Sequence, residues 1–386
     1  MGLIPTVLLA LQSRSQPALP SDLQAVAIQW ANPTDVLTVL MIIGGDIVQR
    51  ALASMAGSRS GIPFVPVAYS FGWVSYSFSA ILAAVGECRL LPGPDYECLV
   101  ISPRRKYNSQ NRSYLLGRLL RDHEVREEGC PLVVEFFNTI PSTRAGQPEA
   151  DWLYIFSVFV IISQLILSIV PIIIHQHYTI FILTLGGTIL ALLTAALPQW
   201  EREKWTARET SRSRRSVVCL TSGNFALPYV MVIVSDPGCG LQIEDLAAGG
   251  PQPSAWTSVA VIAFAVLWFV HLITAQGLTT GPWFFLAIGA LGMIQNAIAA
   301  GAKRSCGALG FHLERKHLIR ARKIFTVLQI AEEREPFVGL SLLPIYFPGG
   351  LLPEEIAWRN DRMAQLAQAG DPPSDMKQAI LYETGR

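Results

Sequence analysis

The chain has 386 residues, 51% of them hydrophobic and only 15% charged, with a formal net charge of +1. Soluble domains carry about 25% charged residues, so the composition excludes an ordinary soluble globule, and the near-zero net charge gives no ground for a nucleic-acid partner. The six cysteines, at 88, 98, 130, 219, 239 and 306, form no CxxC pair, which leaves no zinc or redox motif.

Taken in order, residues 1–32 form an N-terminal segment. Its apolar start at 3–11 lacks a positive n-region and a cleavage site, so it does not read as a signal peptide. Met1-Gly2-Leu3-Ile4-Pro5-Thr6 fits the loose N-myristoylation pattern, with no basic cluster to support it. Asn32-Pro33-Thr34-Asp35 has the chemistry of a helix start and predicts a helix to about Ala56. Its second half is amphipathic, with Ile47, Val48, Ala51, Leu52 and Met55 opposite Asp46, Gln49, Arg50 and Ser54. Asp46 and Arg50, four residues apart, are candidates for an intramembrane pair, and Asp46 is the weak candidate for a catalytic acid. Arg50 snorkelling to the interface is the plainer alternative. Gly61–Gly86 is uncharged and predicts a second span, with small residues from Ala68 to Gly86 on one stripe and aromatics on the other faces.

Residues 87–151 are polar and read as strand (Glu97–Ser102), helix (Arg112–Glu127) and strand (Pro131–Phe137). Asn111-Arg112-Ser113 is a glycosylation sequon, usable only in a lumenal loop. Asp122-His123-Glu124 is a titratable cluster expected on a solvated helix face. Residues 152–200 contain no Asp, Glu, Lys or Arg and read as a transmembrane hairpin turning at His175-Gln176-His177. Ser157, Gln164, Ser168 and Pro171 mark one contact stripe, and Thr184, Gly187, Ala191, Thr194 and Pro198 the other. His175 and His177 are weak metal candidates without a third ligand.

Residues 201–255 open with a charged run containing six Lys/Arg and continue as strands at Val217–Thr221 and Tyr229–Ser235, expected to join those of 87–151 in one sheet. Asp236-Pro237-Gly238-Cys239-Gly240 lacks the rest of a dinucleotide fingerprint. Residues 256–302 read as a second hairpin, with His271 and Asn296 as its intramembrane polar residues. The tail, 303–386, is expected to hold a helix at His312–Glu335, an apolar loop at 342–350 and a helix at Pro353–Gln368. The basic side chains Arg315, Lys316, Arg320, Arg322 and Lys323 are assigned to an anionic lipid surface.

The fold class expected is therefore mainly α: about six transmembrane helices with a small cytosolic α/β domain built from two long loops and the tail. With six spans, 28 of the 30 Lys/Arg fall on the side of both termini and the long loops, which the positive-inside rule places in the cytosol. No cofactor is implied; the partners implied are the lipid bilayer and a protein on the cytosolic domain.

Five runs, GGDIVQRALA (44–53), SFGWVSYSFSAILAAVGE (70–87), NRSYLLGRLLRD (111–122), WFFLAIGALGMIQNAIAAGAKR (283–304) and LLPIYFPG (342–349), resemble a group of uncharacterised multi-span membrane proteins of filamentous fungi. The resemblance runs from about 30 to 360 and implies an intracellular or plasma-membrane protein of a fungus. Fungal membrane proteins of this size are sometimes associated with secondary-metabolite pathways, and the lack of a catalytic constellation together with the surface domain gives the expectation of an accessory component. It carries no catalytic residues. A membrane enzyme acting on a lipophilic metabolite and a transporter are the alternatives.

Overall fold

The computed structural model describes residues 40, 43–59, 64–105, 107–125, 129–141, 145–223, 228–250, 252, 254–278 and 281–368. They form a helical bundle packed against a three-layer α/β domain. The bundle helices are α1 (Gly45–Met55) and α2 (Gly72–Leu82), the latter extended by a π turn at Ala83–Glu87. In the polar segment that follows lie β1 (Leu99–Ser102), β2 (Tyr107–Gln110), α3 (Tyr114–His123) and β3 (Val133–Thr139). The bundle resumes with α4 (Trp152–His175) and α5 (Thr179–Ala195), and the short α6 (Gln199–Lys204) leads back to the domain. There β4 (Ser216–Thr221), β5 (Tyr229–Ser235) and α7 (Ile243–Ala248) precede the second hairpin, α8 (Ala255–Gln276) and α9 (Pro282–Gly301). The tail supplies β6 (Leu313–Arg320), α10 (Ile324–Arg334), α11 (Val338–Tyr346) and α12 (Pro353–Gln368).

Three helices, α4, α8 and α9, are long and apolar enough to cross a membrane, with mean hydropathies of 2.6, 2.3 and 1.6. α5 is apolar but has only 17 residues. Each long helix buries a narrow stripe and exposes the rest. On α4 the buried set is Leu153, Ser157, Val160, Ile161, Gln164, Ser168 and Pro171, as the small and polar spacing predicts. The opposite face exposes Ile155, Phe159, Ile162, Ile166 and Ile173. On α5, Thr184, Gly187, Ala191 and Thr194 are buried, whereas Pro198 lies beyond the helix, exposed at the start of α6. Asp151 begins α4 by accepting the Tyr154 N–H at 3.0 Å, and Ser254 begins α8 through the Thr257 N–H at 3.4 Å.

The expectation of two full helical spans before residue 87 does not hold within the described residues. The first predicted helix is interrupted at Gly44, in the left-handed region at φ 92°, and α1 starts only after it. Its N-terminal half, up to residue 39, lies outside the described residues. The second predicted span is part extended chain. Residues 64–70 are not helical, and α2 begins at Gly72. The eleven residues of α1 at about 1.5 Å each give about 16 Å, half of a roughly 30 Å hydrocarbon core, and α2 with its π turn reaches at most about 24 Å. α1 and α2 run parallel: Gly44 meets Gly72 at their N-terminal ends, whereas towards their C-terminal ends Met55 meets Ser157 and Ala84 meets Ser258, both in the first two turns of helices that start at the domain. Both C-termini lie against the α/β domain. The chain leaving α1 stays there to residue 59, because the Arg59 N–H donates to Gly146 O and the Trp205 indole donates to Gly57 O, each at 2.8 Å. The turn at Arg59 is therefore on the domain side and not on the opposite face expected of a short loop between two spans.

The domain is a six-stranded mixed sheet, order β2-β1-β4-β5-β3-β6, in which only β3 and β5 pair in parallel. β3 and β5 are covered on both faces, so their sequences are near-continuous apolar runs. Val133 and Phe137 face α3 and α7, whereas Val134 and Phe136 face α10 and α11. The predicted strands and their union in one sheet hold, as does the helix at Pro353–Gln368. The predicted helix at His312–Glu335 does not. Its first half is the edge strand β6, paired antiparallel with β3, and the helix begins only at Ile324. Only Ile319 of β6 is buried, so the strand has too little two-residue alternation to announce itself. The predicted loop at 342–350 is also corrected, since its first five residues are the end of α11. The buried Glu332 carboxylate fixes the start of that helix by accepting the Phe337 and Leu340 N–H groups at 2.9 and 3.2 Å.

Candidate functional site

Two places bring polar chemistry together: the middle of the bundle and the joint between bundle and domain. In the bundle, residues 64–70 carry non-helical backbone among packed helices, where an unpaired peptide group costs several kcal/mol if no water reaches it. Three amide side chains meet that need. Gln164 of α4 donates to Tyr69 O at 2.7 Å and to Ile288 O at 2.8 Å. Gln295 of α9 accepts the Ala68 N–H at 3.1 Å and donates to Ser157 Oγ at 2.7 Å. Asn296 donates to Ser70 Oγ at 2.8 Å, and the Trp73 indole reaches Ala68 O at 2.9 Å. Room for the segment comes from missing side chains. A Cβ on Gly292 would collide with Tyr69 O, one on Gly289 with the Phe71 ring, and one on Gly187 with the Tyr69 ring.

Above the segment the aromatic side chains form one cluster. Tyr69 stacks on Trp268 at 6.1 Å between ring centroids, and Trp268 stacks on Trp73 at 5.6 Å. His271 Nε2 lies 3.1 Å from the Tyr69 hydroxyl and its ring is edge-on to both Tyr69 and Trp268. The aromatics of α2 that were expected on several faces thus divide: Trp73 and Tyr76 are buried, Phe78 is exposed. The small-residue stripe expected for this stretch is a contact face only in its first half, where Ala68 and Gly72 are buried and Gly72 and Ser75 lie against Gly44 and Gly45, whereas Ser79 and Gly86 are exposed. A cleft between α2, α5 and α8 is lined by Tyr76, Val261, Phe264 and Trp268.

At the joint, the carbonyl ends of α1 and α9 converge on buried cations, the favourable sign for a helix C-terminus. Arg118 of α3, fully buried, donates to Ala300 O at 2.5 Å, Ala302 O at 2.6 Å and Asp122 Oδ2 at 3.1 Å. Arg304 donates to Ser54 O at 3.0 Å and forms a bidentate pair with Asp151 at 2.8 and 3.1 Å. The Lys204 ammonium donates to Ala56 O. Burial, reinforced by Arg304 and Arg118, pulls the Lys204 pKa down to about 7. Glu203 beside it accepts the Leu90 and Leu91 N–H groups at 2.8 Å each. Burial raises its pKa in spite of those bonds.

The cluster Asp122-His123-Glu124, expected to be solvated, is part of this joint. Asp122 bridges Arg118, Arg121 and the Arg304 N–H. His123 Nε2 lies 3.1 Å from Cys306 Sγ, and its Nδ1 lies 3.0 Å from Leu119 O. Nδ1 therefore carries the proton, and the thiol donates to Nε2. Burial pushes the thiol up to about 12 and the imidazole below its usual range. The resting pair is a neutral thiol and a neutral imidazole. Beside it the buried Glu135 accepts the Tyr229 hydroxyl at 2.6 Å and pairs with Arg315. Sequence reading missed the Cys306–His123 and Glu135–Tyr229 pairs, because their members are far apart in the chain and share no motif.

The remaining predicted positions are dispersed. Asp46 and Arg50 are exposed on α1 and form no ion pair with each other. His175, the last residue of α4, and His177 in the turn after it are exposed, their ring centroids 6.4 Å apart, and no metal-binding group of three occurs among the described residues. His271 and Asn296 are the two predicted intramembrane residues that meet on the extended segment. Arg315, Lys316 and Arg320 sit on the edge strand β6, and Arg322 and Lys323 follow it, rather than forming the basic turns of a helix. The Asn111 amide is held by Ser113 at 2.8 and 2.9 Å. No protein-family model matches the chain, and no curated protein and no solved structure gives a significant match.

Proposed function

We propose that the protein is a multi-pass integral membrane protein whose α/β domain lies on the cytosolic face, and that it works as a non-catalytic accessory subunit. The observation that carries the reading is the division of its surface. The bundle exposes a belt of large apolar side chains, including Ile166, Ile173, Ile182, Trp256, Val266 and Phe269. Surface of that kind belongs in lipid. The domain carries nearly all the charge, and Arg59 joins the cationic side, which favours a cytosolic domain under the positive-inside rule. The polar groups of the bundle core hold backbone rather than converge on a reaction centre, and the Cys306 thiol is held in its unreactive protonated form. Both features favour a structural over a catalytic role. The resemblance to fungal multi-span proteins supports, by association, a served partner in a secondary-metabolite pathway.

A deletion strain tests this. An accessory subunit predicts that one membrane enzyme falls in abundance together with its product. Loss of product with that enzyme intact and active in isolated membranes contradicts it. Transport is the second reading, favoured by the short α1 and α2, whose N-termini meet in mid-bundle beside unwound backbone, as at the substrate sites of many transporters. It predicts product retained in cells and depleted from the medium.

A further inference from the structure

We propose that the chain between Gly57 and Glu87, seen at residues 57–59 and 64–87, makes a re-entrant membrane hairpin that enters and leaves the bilayer on the face carrying the α/β domain, its outer side bathed by the acyl chains of that leaflet. The inference rests on the membrane reading above. Both ends of the hairpin are tied to the domain or to the joint. At the entry, Gly57 and Arg59 bond Trp205 and Gly146. At the exit, the Leu90 and Leu91 N–H groups bond Glu203.

Between these ends the chain reaches the depth of Gln164, near the middle of the 24-residue α4. Phe71 at the apex packs on Gly289 and Phe285 of α9. The return follows α8 antiparallel. Trp73 stacks on Trp268, and eleven residues later the Ser258 hydroxyl donates to Ala84 O at 3.2 Å. The helix that returns is one-sided. It buries Trp73, Tyr76 and Ala80, and exposes Phe78, Leu82 and Val85 at 48, 75 and 56%. That exposed strip continues the apolar belt of α8, so acyl chains are the occupant that fits it. Extended backbone is tolerated at this depth because the amides of Gln164, Gln295 and Asn296 replace water as its partners.

The test uses sealed vesicles of known orientation and an impermeant maleimide, with labelling read peptide by peptide. The native Cys239 reports the domain face, native Cys88 the exit, Arg59→Cys the entry and Gln176→Cys the far turn. The hairpin predicts that positions 59 and 88 label together with Cys239, and that 176 labels only from the other side. It also predicts that Leu82→Cys reacts with a lipid-soluble maleimide and not with the impermeant one. Labelling of position 59 together with 176 overturns the hairpin while leaving the membrane reading intact. Release of the protein from membranes by alkaline carbonate overturns both. Should Arg59→Cys not fold, Arg59→Lys with an impermeant amine reagent gives the same comparison.

Discussion

Replacing Gln164 with Leu tests the docking of the extended segment at its centre. The substitution keeps nearly the same volume and removes one Nε2 group that donates to two carbonyls. Ile288 O retains its partner in the helix ladder, so the loss falls on Tyr69 O, whose residue is buried. Leaving a buried acceptor unpaired costs about 1–3 kcal/mol, and interhelical hydrogen bonds in membrane proteins average about 0.6 and reach about 1.7 kcal/mol. The structure therefore predicts a destabilisation of roughly 1–3 kcal/mol. The assay is equilibrium unfolding in mixed micelles, with Ile166→Leu on the exposed face of α4 as a control expected to stay within about 0.5 kcal/mol. A Gln164→Leu variant as stable as that control refutes the claim that side-chain amides hold the segment.

Other expectations follow from the same contacts. Gly292→Ala drives a Cβ into the Tyr69 carbonyl and should lower the yield of folded protein on size-exclusion chromatography, whereas Gly186→Ala meets nothing within 4 Å and should leave it unchanged. Lys204, with a folded pKa of about 7 against the ordinary 10.5, opposes folding below pH 7, and that opposition is relieved as pH rises from 7 towards 10.5. Lys204→Met should accordingly raise Tm most at pH 6 and flatten its rise above pH 7, the difference in pKa setting an upper bound of roughly 5 kcal/mol. Arg304→Met leaves Asp151 without its bidentate partner at the joint and should cost about 3–5 kcal/mol, seen as faster proteolysis between bundle and domain; the double variant with Asp151→Asn should recover part of it. Cys306, protonated and buried, should react with iodoacetamide far more slowly than Cys239 at pH 7.5, as peptide-resolved labelling rates will show.

Sequence patterns disclosed what depends on long apolar runs. The two hairpins were legible because 152–200 and 256–302 lack any Asp, Glu, Lys or Arg, and the central strands because YVMVIVS can only be buried on both faces. The hairpin at 57–87 was hidden by the same criterion, since an uncharged run reads as one helix whatever its backbone does. Pro66 was the overlooked signal: a residue before proline is pushed out of the helical region. β6 was missed because an edge strand with one buried side chain has no alternation to detect, and α11 because Pro344 suggested a break where the helix tolerates it. Of the candidate site residues, His271 and Asn296 were found by being polar in an apolar run. The joint was not, because Arg118, Lys204 and Arg304 look like ordinary surface cations until the helix ends that they cap are brought to them.

The measurement that bears most directly on the membrane reading is extraction of the full chain from native membranes. The exposed apolar faces of α4, α5, α8 and α9 predict that the protein stays in the pellet through alkaline carbonate and high salt, and enters solution only with detergent. Recovery of folded, monodisperse protein in the carbonate supernatant would contradict that reading, and with it the orientation of the α/β domain.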